Sequence, residues 1–170
     1  MNGPAPENSE AINLRPAVNQ DSGQIIELID SVLREYDDKV CLDGCEADLL
    51  DIEVNYLAKG GMFWVLERNG QIVGTHAALP WSESSGACHF RRLYLHPSLR
   101  GTKWSAVLMQ VTIDWAIEHN FQLVEFWSDT RFHRAHKFFT KFGFTPDGRT
   151  RVMTDGIDPY SERYFALNFS

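Results

Sequence analysis

A short basic turn between a predicted strand and a predicted helix has the residue types that bind an anion. It runs from Pro97 to Ala106 and contains Arg100, Thr102, Lys103 and Ser105. The first turn of a helix has unpaired backbone N–H groups at the positive end of the helix dipole. A pyrophosphate can bind there, helped by basic side chains and hydroxyl donors. An ordinary strand–helix turn with solvated basic residues fits the same sequence, so the segment alone leaves both interpretations open.

The elements on either side of this turn follow from their residue patterns. Ala87 to Leu95 is predicted as a long strand that ends before Pro97. Lys103 to His119 is predicted as a helix, because apolar residues recur there at helical spacing. That apolar stripe consists of Trp104, Val107, Leu108, Val111 and Trp115.

The rest of the chain alternates between strand and helix patterns. Asn69-Gly70 predicts a hairpin, because both residues tolerate a positive φ. The other predicted elements are a strand at Ile12 to Arg15, a helix capped by Asp21 or Ser22 that runs to about Tyr36, a helix from Glu46 to Ala58, hairpin strands at Met62 to Leu66 and Ile72 to Leu79, a strand at Phe121 to Trp127, a helix from Phe132 to Phe142, a short strand at Arg151 to Thr154 and a last strand at Tyr164 to Phe169. This order predicts a mixed α/β domain with a largely antiparallel sheet.

Composition narrows the class of protein. A chain of 170 residues with 44% hydrophobic residues suits one packed domain, which we expect over 12–170 after a flexible N-terminal tail at 1–11. The formal net charge of −7 argues against nucleic acid as a partner. We expect no membrane partner either, since no apolar run reaches the roughly 18 residues of a spanning helix. The tail lacks signal-peptide features, so a cytoplasmic location is expected.

The cysteines and histidines do not predict a metal site. Cys41, Cys45 and Cys88 have no framework spacing, which indicates free thiols in a reducing compartment. No second Cys/His pair follows Cys41 and Cys45 at ligand spacing. His133 and His136 lie three residues apart on a predicted helix, but nearby positive charge favours a solvated or phosphate-facing basic surface instead. That charge comes from Arg131, Arg134 and Lys137.

Four segments, taken in order, make the chain similar to a known superfamily. They are the hairpin Phe63 to Gly74, the strand and turn Leu93 to Gly101, the helix Trp104 to Asn120, and Ala135 to Phe144 with its Gly-Phe ending. From about Ile12 to Phe169 the chain thereby resembles the GNAT superfamily of acetyl-CoA-dependent N-acetyltransferases. The resemblance implies an α/β (α+β) GNAT fold: a central mixed, mostly antiparallel sheet of six to seven strands flanked by about four helices.

The resemblance also implies that acetyl-CoA is the co-substrate. In the family, backbone amides of an Arg-x-x-Gly-x-Gly/Ala loop bind the CoA pyrophosphate, and Arg100 to Ser105 matches that loop. Lys103 and Ser105 replace its usual small residues; Lys103 can still offer its amide, because a helical residue needs no positive φ. The backbone of Leu93 to Leu95 would pair with the pantetheine arm. The implied cofactor-binding residues are Leu93, Tyr94, Leu95, Arg100, Gly101, Thr102, Lys103, Trp104, Ser105, Ala106, Ser128, Phe132, Ala135 and Phe139.

The late helix departs from the family pattern. Many members protonate the leaving thiolate with a tyrosine that lies seven residues after an asparagine. This chain has Phe139 and Phe132 at those positions. Phenylalanine cannot donate a proton, so either another group serves, or the thiolate leaves without direct protonation, or catalysis is weak.

His89, Asp129 and Glu83 are the candidate catalytic residues. His89 lies on the fourth strand, where some members that acetylate aromatic amines carry a histidine; it suits a base or water relay, or is a half-exposed strand residue. Glu83 is a second candidate base or a solvated loop carboxylate. Asp129 ends a strand near the cleft and could orient substrate or water, or cap the following helix. Tyr94 is a substitute acid or a core residue, and alternation places it on the opposite face from His89.

Acidic residues are dense in the region that walls the acceptor site in the family. An acidic wall would favour a cationic amine, whereas a solvated acidic face needs no ligand. The residues are Glu35, Asp37, Asp38, Asp43, Glu46, Asp48, Asp51 and Glu53.

Two functions remain open. The first is an acetyl-CoA-dependent N-acetyltransferase that moves an acetyl group to a primary amine of a small molecule or peptide. The second is a catalytically weak GNAT-fold module that binds acyl-CoA as a sensor or partner, which Phe132 and Phe139 favour. A homodimer is a further expectation from the family.

Overall fold

The computed structural model describes residues 11–169, so the predicted tail lies almost wholly outside the described residues. The strands are β1 Ile12–Pro16, β2 Met62–Arg68, β3 Gln71–Pro80, β4 Ala87–Leu95, β5 Leu123–Asp129, β6 Thr150–Met153 and β7 Tyr160–Asn168. The α-helices are α1 Ser22–Arg34, α2 Ile52–Asn55, α3 Trp104–Glu118 and α4 His133–Lys141. Within residues 11–169, none of the helices has both the length and the apolar character needed to cross a membrane.

The seven strands form one mixed sheet in the order β1-β2-β3-β4-β5-β7-β6. Every neighbouring pair is antiparallel except β4 and β5, which run parallel. Those two strands pair only between Ala87–His89 and Leu123–Glu125 and then diverge. The predicted fold class is confirmed, and the divergence opens a gap in the middle of the sheet.

Helices cover the two faces of the sheet unequally. On one face, Ile25 and Ile29 of α1 pack with Phe63 and Val65 of β2. On the other face, α3 and α4 cover an aromatic-rich core. That core includes Met109, Ile113, Phe139, Phe126, Phe144 and Phe165. The sheet is thus the middle of three layers, and the gap between β4 and β5 connects its two faces.

The hairpin between β2 and β3 forms as predicted. Asn69 and Gly70 both have positive φ, at 50° and 76°. Two consecutive positive φ values match the turn twist that suits antiparallel strands. The tight turn fixes the register in which Arg68 pairs with Gln71.

A bulge interrupts β4 next to the gap. Thr75 pairs with Tyr94 and Ala77 with Arg91, so β4 carries one extra residue. Arg92 has a φ of 59°, and its carbonyl accepts a hydrogen bond from the Thr75 hydroxyl at 2.7 Å. A bulge shifts the alternation of side chains by one.

The bulge places Tyr94 on the other face of the sheet from the one predicted. Before it, Cys88 and Phe90 join the core under α3 and α4, so His89 faces the α1 side. After it, Tyr94 packs against the α1-side core. The prediction that Tyr94 and His89 face opposite sides was therefore wrong, because it assumed an unbroken strand.

The predicted helix from Glu46 to Ala58 was also wrong in its continuity. Two short 3-10 turns, Ala47–Leu50 and Leu57–Lys59, flank α2 instead. Asp51 is extended, with φ −146° and ψ 93°, and its carboxylate accepts a hydrogen bond from the Val54 amide. An aspartate that caps a new helix start competes with helix continuation.

Candidate functional site

A cleft of about 240 Å³ occupies the gap where β4 and β5 part. Its apolar end lies on the α3–α4 side and includes Leu93, Met109 and Phe139. Its other end is charged and polar, and five segments meet there. The polar lining residues are Asp38, Lys39, Glu46, His89, Arg91, Arg92, Tyr94, Ser128, Asp129, Arg131, Arg151, Asp155, Tyr160 and Glu162.

The backbone of β4 along this cleft is open toward β5. In the described part of the chain, the β4–β5 ladder ends at His89, while β4 remains paired with β3 up to Leu95. Backbone groups of β4 beyond His89 that point toward β5 can therefore accept an extended ligand as an added strand. Leu93 and Tyr94 line this stretch, which suits the predicted pantetheine contact.

The basic turn holds some of its backbone amides in internal hydrogen bonds and leaves others at the start of α3. The amides of Arg100 and Thr102 donate to Pro97 and Leu99 within a short 3-10 turn. The amide of Val107 donates to the Lys103 carbonyl at 3.0 Å. The amides before Val107 in the first turn of α3 have no carbonyl four residues earlier in the helix, so they have no acceptor within it. These are the amides of Trp104, Ser105 and Ala106, of which that of Trp104 donates to the Thr102 hydroxyl at 3.4 Å.

The departures from the family loop do not distort this turn. Lys103 has φ −67° and ψ −13°, as expected for a residue that needs no glycine. Gly101 supplies the positive φ of the loop, at 73°. The Lys103 ammonium lies 5.2 Å from the centroid of the Trp104 ring. The chain path therefore leaves the helix end accessible to an anion.

Arg100 makes an ion pair at the far side of the turn. Its guanidinium donates two hydrogen bonds to the Glu35 carboxylate, at 2.7 and 2.8 Å. Glu35 follows the last turn of α1, so this pair joins the basic turn to the α1 side of the cleft. The predicted role of Arg100 toward a pyrophosphate stays a prediction.

The residues predicted after β5 line the cleft. Ser128, Phe132, Ala135 and Phe139 all contribute to its wall. Phe139 is buried and packs edge-on against the Phe126 ring at 4.8 Å. It fills space at the apolar end of the cleft and offers no proton.

His89 lies at the polar end and is held as a neutral ring. The Trp81 ring packs against it with centroids 4.8 Å apart. Burial, followed in effect by Arg91 and then by two further arginines, lowers the pKa of His89 to about 3. A neutral imidazole can relay a proton through water, but its conjugate acid is strongly disfavoured here.

The other two candidate catalytic residues have different surroundings. Glu83 is exposed in the loop between β3 and β4, outside the cleft lining. Asp129 is buried in the lining, and its carboxylate accepts hydrogen bonds from the Arg131 amide at 2.8 Å and the Arg131 guanidinium at 2.7 Å. The suggestion that Asp129 caps the next helix was wrong, since the N-cap is Phe132 without a side-chain cap bond.

His136 does not belong to a solvated basic surface. Its ring packs edge-on against Phe165 at 4.9 Å, and its Nε2 lies 3.2 Å from the Ser128 hydroxyl. Burial lowers the pKa of His136. His133 is exposed, so the two histidines have different surroundings and the predicted shared surface is limited to His133.

Arginines pair with the members of the predicted acidic wall that line the cleft. Arg92 binds Asp48 at 2.6 Å, and Arg131 binds Asp38 at 3.0 Å. Glu46 lies 3.7 Å from Arg92. The region is thus neither a bare acidic wall nor a simple solvated face. Sequence reasoning missed these arginines because they come from β4 and the β5–α4 connection, far from the acidic segment.

Two further acidic residues in the cleft were also missed. Glu162 of β7 is bound by Arg151 of β6 at 2.6 Å, and burial raises the pKa of Glu162 despite that arginine. One carboxylate oxygen of Asp155 is buried and has no hydrogen-bond partner among residues 11–169. A buried carboxylate oxygen without a donor is costly, so it is suited to a ligand N–H group.

The buried histidines predict how stability changes with pH. Burial lowers the pKa of His76 to about 4 and that of His89 to about 3, compared with about 6.5 in an unfolded chain. Between these values the unfolded chain binds more protons, so the free energy of unfolding falls as pH falls from about 6.5 to about 4. Urea unfolding at about pH 7 and about pH 5 measures this change. Between these two pH values, His89→Gln should lose less of its free energy of unfolding than the wild type does. An equal loss, or the same change in the exposed control His133→Gln, would contradict this assignment.

Comparison with known proteins gives the class of this protein. The model described as the Acetyltransferase (GNAT) family matches residues 26–144. The chain therefore belongs to the GNAT acetyltransferase family. The match confirms the resemblance stated from the sequence and supports acetyl-CoA as co-substrate.

Individual relatives agree with this family. The chain is 29% identical to the N-acetylaspartate synthetase of Danio rerio over 127 residues, which cover 72% of this chain and 45% of that protein. It is 32% identical to N-acetyltransferase family 8 member 2 of Rattus norvegicus over 106 residues, which cover 61% of this chain and 47% of that protein. The chain thus spans about half the length of the curated relatives it matches.

Solved structures share the fold over nearly the whole chain. A GNAT-family acetyltransferase from Staphylococcus aureus Mu50 has a TM-score of 0.78 at 25% identity, covering 94% of this chain and 100% of its own. A Salmonella typhimurium protein solved with acetyl-CoA has a TM-score of 0.73 at 18% identity, covering 94% of this chain and 95% of its own.

Proposed function

We propose that the protein is an acetyl-CoA-dependent N-acetyltransferase that moves an acetyl group to a primary amine of a small molecule or peptide. The observation that carries this proposal is the cleft between β4 and β5. An open strand edge and the apolar end of the cleft lie on one side of the sheet, and the charged and polar end lies on the other. A long thioester and an amine can enter such a cleft from opposite faces of the sheet.

The residues present fit acetyl-CoA. First-turn amides of α3, namely Ser105 and Ala106, would hold the pyrophosphate. The open edge of β4 at Leu93 to Leu95 would hold the pantetheine arm. Acetyl-CoA supplies the thioester carbonyl that the amine attacks.

Proton removal from the amine needs a general base in the cleft. We assign this role to Glu162, because it lines the cleft and burial raises the pKa of its carboxyl group above the ordinary glutamate value. His89 remains a water relay, since its pKa of about 3 makes protonated His89 scarce at neutral pH.

Tyr94 is the candidate that replaces the missing tyrosine of α4. The bulge in β4 turns Tyr94 to the same face as His89, and both line the cleft. Burial raises the pKa of Tyr94 to about 12, so its hydroxyl stays protonated at neutral pH. A protonated phenol can donate to a leaving thiolate.

Thiol release from acetyl-CoA across a panel of primary amines tests this function. We expect Glu162→Gln to lower kcat by roughly a hundredfold, as loss of a general base does, and His89→Ala by less than about tenfold. Full turnover in Glu162→Gln would remove it from the mechanism. Acetyl-CoA binding with no turnover of any amine would instead support a non-catalytic acyl-CoA-binding module.

A further inference from the structure

We propose that the acceptor of this acetyltransferase is an amine that also carries a carboxylate, as a free amino acid does, and that Arg91 binds that carboxylate. This inference rests on the proposed function and narrows its substrate class. Arg91 lies on β4, two residues from His89, and lines the polar end of the cleft.

The side chain of Arg91 has hydrogen-bonding capacity to spare. Its ion-pair contact in the described chain is with Asp48, at 3.9 Å, which is too long for a hydrogen bond. The side chain is 30% exposed. The other arginines that line the cleft are held at 3.0 Å or less by carboxylates. They are Arg92, Arg131 and Arg151.

Asp48 binds Arg92 more closely than it binds Arg91. Its Oδ1 accepts from the Arg92 guanidinium at 2.6 Å. Its Oδ2 accepts from the Arg92 Nε at 3.2 Å and from the Tyr56 hydroxyl. In this arrangement Arg92 makes the short contacts with the carboxylate, and the Arg91 guanidinium keeps donors for a ligand.

The field around His89 favours an anion at this end of the cleft. Burial, and after it Arg91, Arg151 and Arg92, lower the pKa of the His89 ring, so these arginines place positive charge beside it. A carboxylate at this point can form a bidentate pair with a guanidinium. An acceptor with a carboxylate therefore matches this end of the cleft better than a simple polyamine.

Asp155 offers a hydrogen-bond acceptor in the same cleft in which Arg91 offers donors. Its buried carboxylate oxygen lacks a partner in the described chain, and an amine N–H group would satisfy it. One unpaired acceptor and one underused guanidinium suit a ligand that has an amino group and a carboxylate. A peptide N-terminus would supply the amine but not the adjacent carboxylate.

Matched acceptors test this substrate class. Thiol release would be measured for the standard amino acids and for their carboxyamides, which keep the amine and remove the negative charge. We expect the wild type to prefer the acids. Arg91→Gln should raise KM for the acids by roughly tenfold to a hundredfold, the value of a charge-assisted hydrogen bond, and leave KM for the amides nearly unchanged. The control Arg34→Gln removes an arginine that is 65% exposed on α1 and should change neither.

A binding measurement separates this inference from the proposed function. Calorimetry with N-acetyl amino acids and their amides needs no turnover. Binding of the acids that is lost in Arg91→Gln supports the inference even if no amine is acetylated. Equal turnover of acids and amides by the wild type, an equal loss for both in Arg91→Gln, or no preference in binding when turnover is absent would overturn it.

Discussion

The Ser105→Glu variant is expected to lose acetyl-CoA binding and keep its fold. Ser105 lies in the first turn of α3, where the amides have no acceptor within the helix. A glutamate there favours the helix, because a negative charge complements the dipole. The same carboxylate repels a pyrophosphate: at about 4 Å and an effective dielectric of about 20, the repulsion is about 4 kcal/mol. Binding should weaken by roughly a thousandfold.

Thermal unfolding with and without acetyl-CoA measures this effect, because a ligand that binds the native state raises Tm. The wild type and the control Ser105→Ala should both show the increase. Ser105→Glu should show a free-protein Tm equal to or above that of the wild type, without the increase. An increase of wild-type size in Ser105→Glu would show that the pyrophosphate does not bind at α3.

The second large effect is expected for Arg131→Met, which should destabilise the fold. Arg131 binds the buried carboxylates of Asp38 and Asp129 and donates to the Tyr36 carbonyl at 3.0 Å. Removing one partner of a buried ion pair costs about 3–5 kcal/mol. Arg131 is 32% exposed, so solvent screening reduces the expected loss to about 2 kcal/mol.

Urea unfolding at neutral pH measures this loss, and Arg34→Met is the matched control. Arg34 pairs with Asp30 at 2.6 Å, but its side chain is 65% exposed on α1, so that pair should contribute little. Although burial opposes it, the Lys39 amide and then Arg131 lower the pKa of Asp38. Its contribution is therefore present above the unfolded pKa of about 4 and is lost as pH falls, so the difference between Arg131→Met and wild type should shrink in acid. Equal stability of Arg131→Met and wild type at neutral pH would refute the network.

Local signals in the sequence predicted much of the fold. The Asn69-Gly70 turn specifies its own conformation, and Pro97 ends β4 where predicted. The basic turn before α3 could be proposed as an anion site because backbone amides at a helix start need only a strand, a turn and a helix in that order. These features depend on residues that are neighbours in the chain.

The acceptor end of the cleft could not be predicted in this way. The pair between Arg92 and Asp48 joins residues 44 positions apart in the sequence, so no local pattern predicts it. The predicted helix at 46–58 failed because Asp51 begins a new turn instead of continuing the first. The last strand was predicted only from Tyr164, whereas β7 begins at Tyr160 and includes Glu162. Asp155 lies in the loop before β7, where the sequence gives little periodicity to interpret.

The bulge at Arg92 makes the chemistry of the cleft depend on chain length as well as on residue type. His89 and Tyr94 are five residues apart and share one face of the sheet only because β4 carries one extra residue between them. Inserting a further residue between Phe90 and Leu93 would turn either His89 into the aromatic core or Tyr94 away from the α1 face. Deleting Arg92 would keep the shared face, but it would remove the guanidinium that binds Asp48. Engineered variants and chimeras that alter this cleft should keep the bulge and the residue count of β4 together.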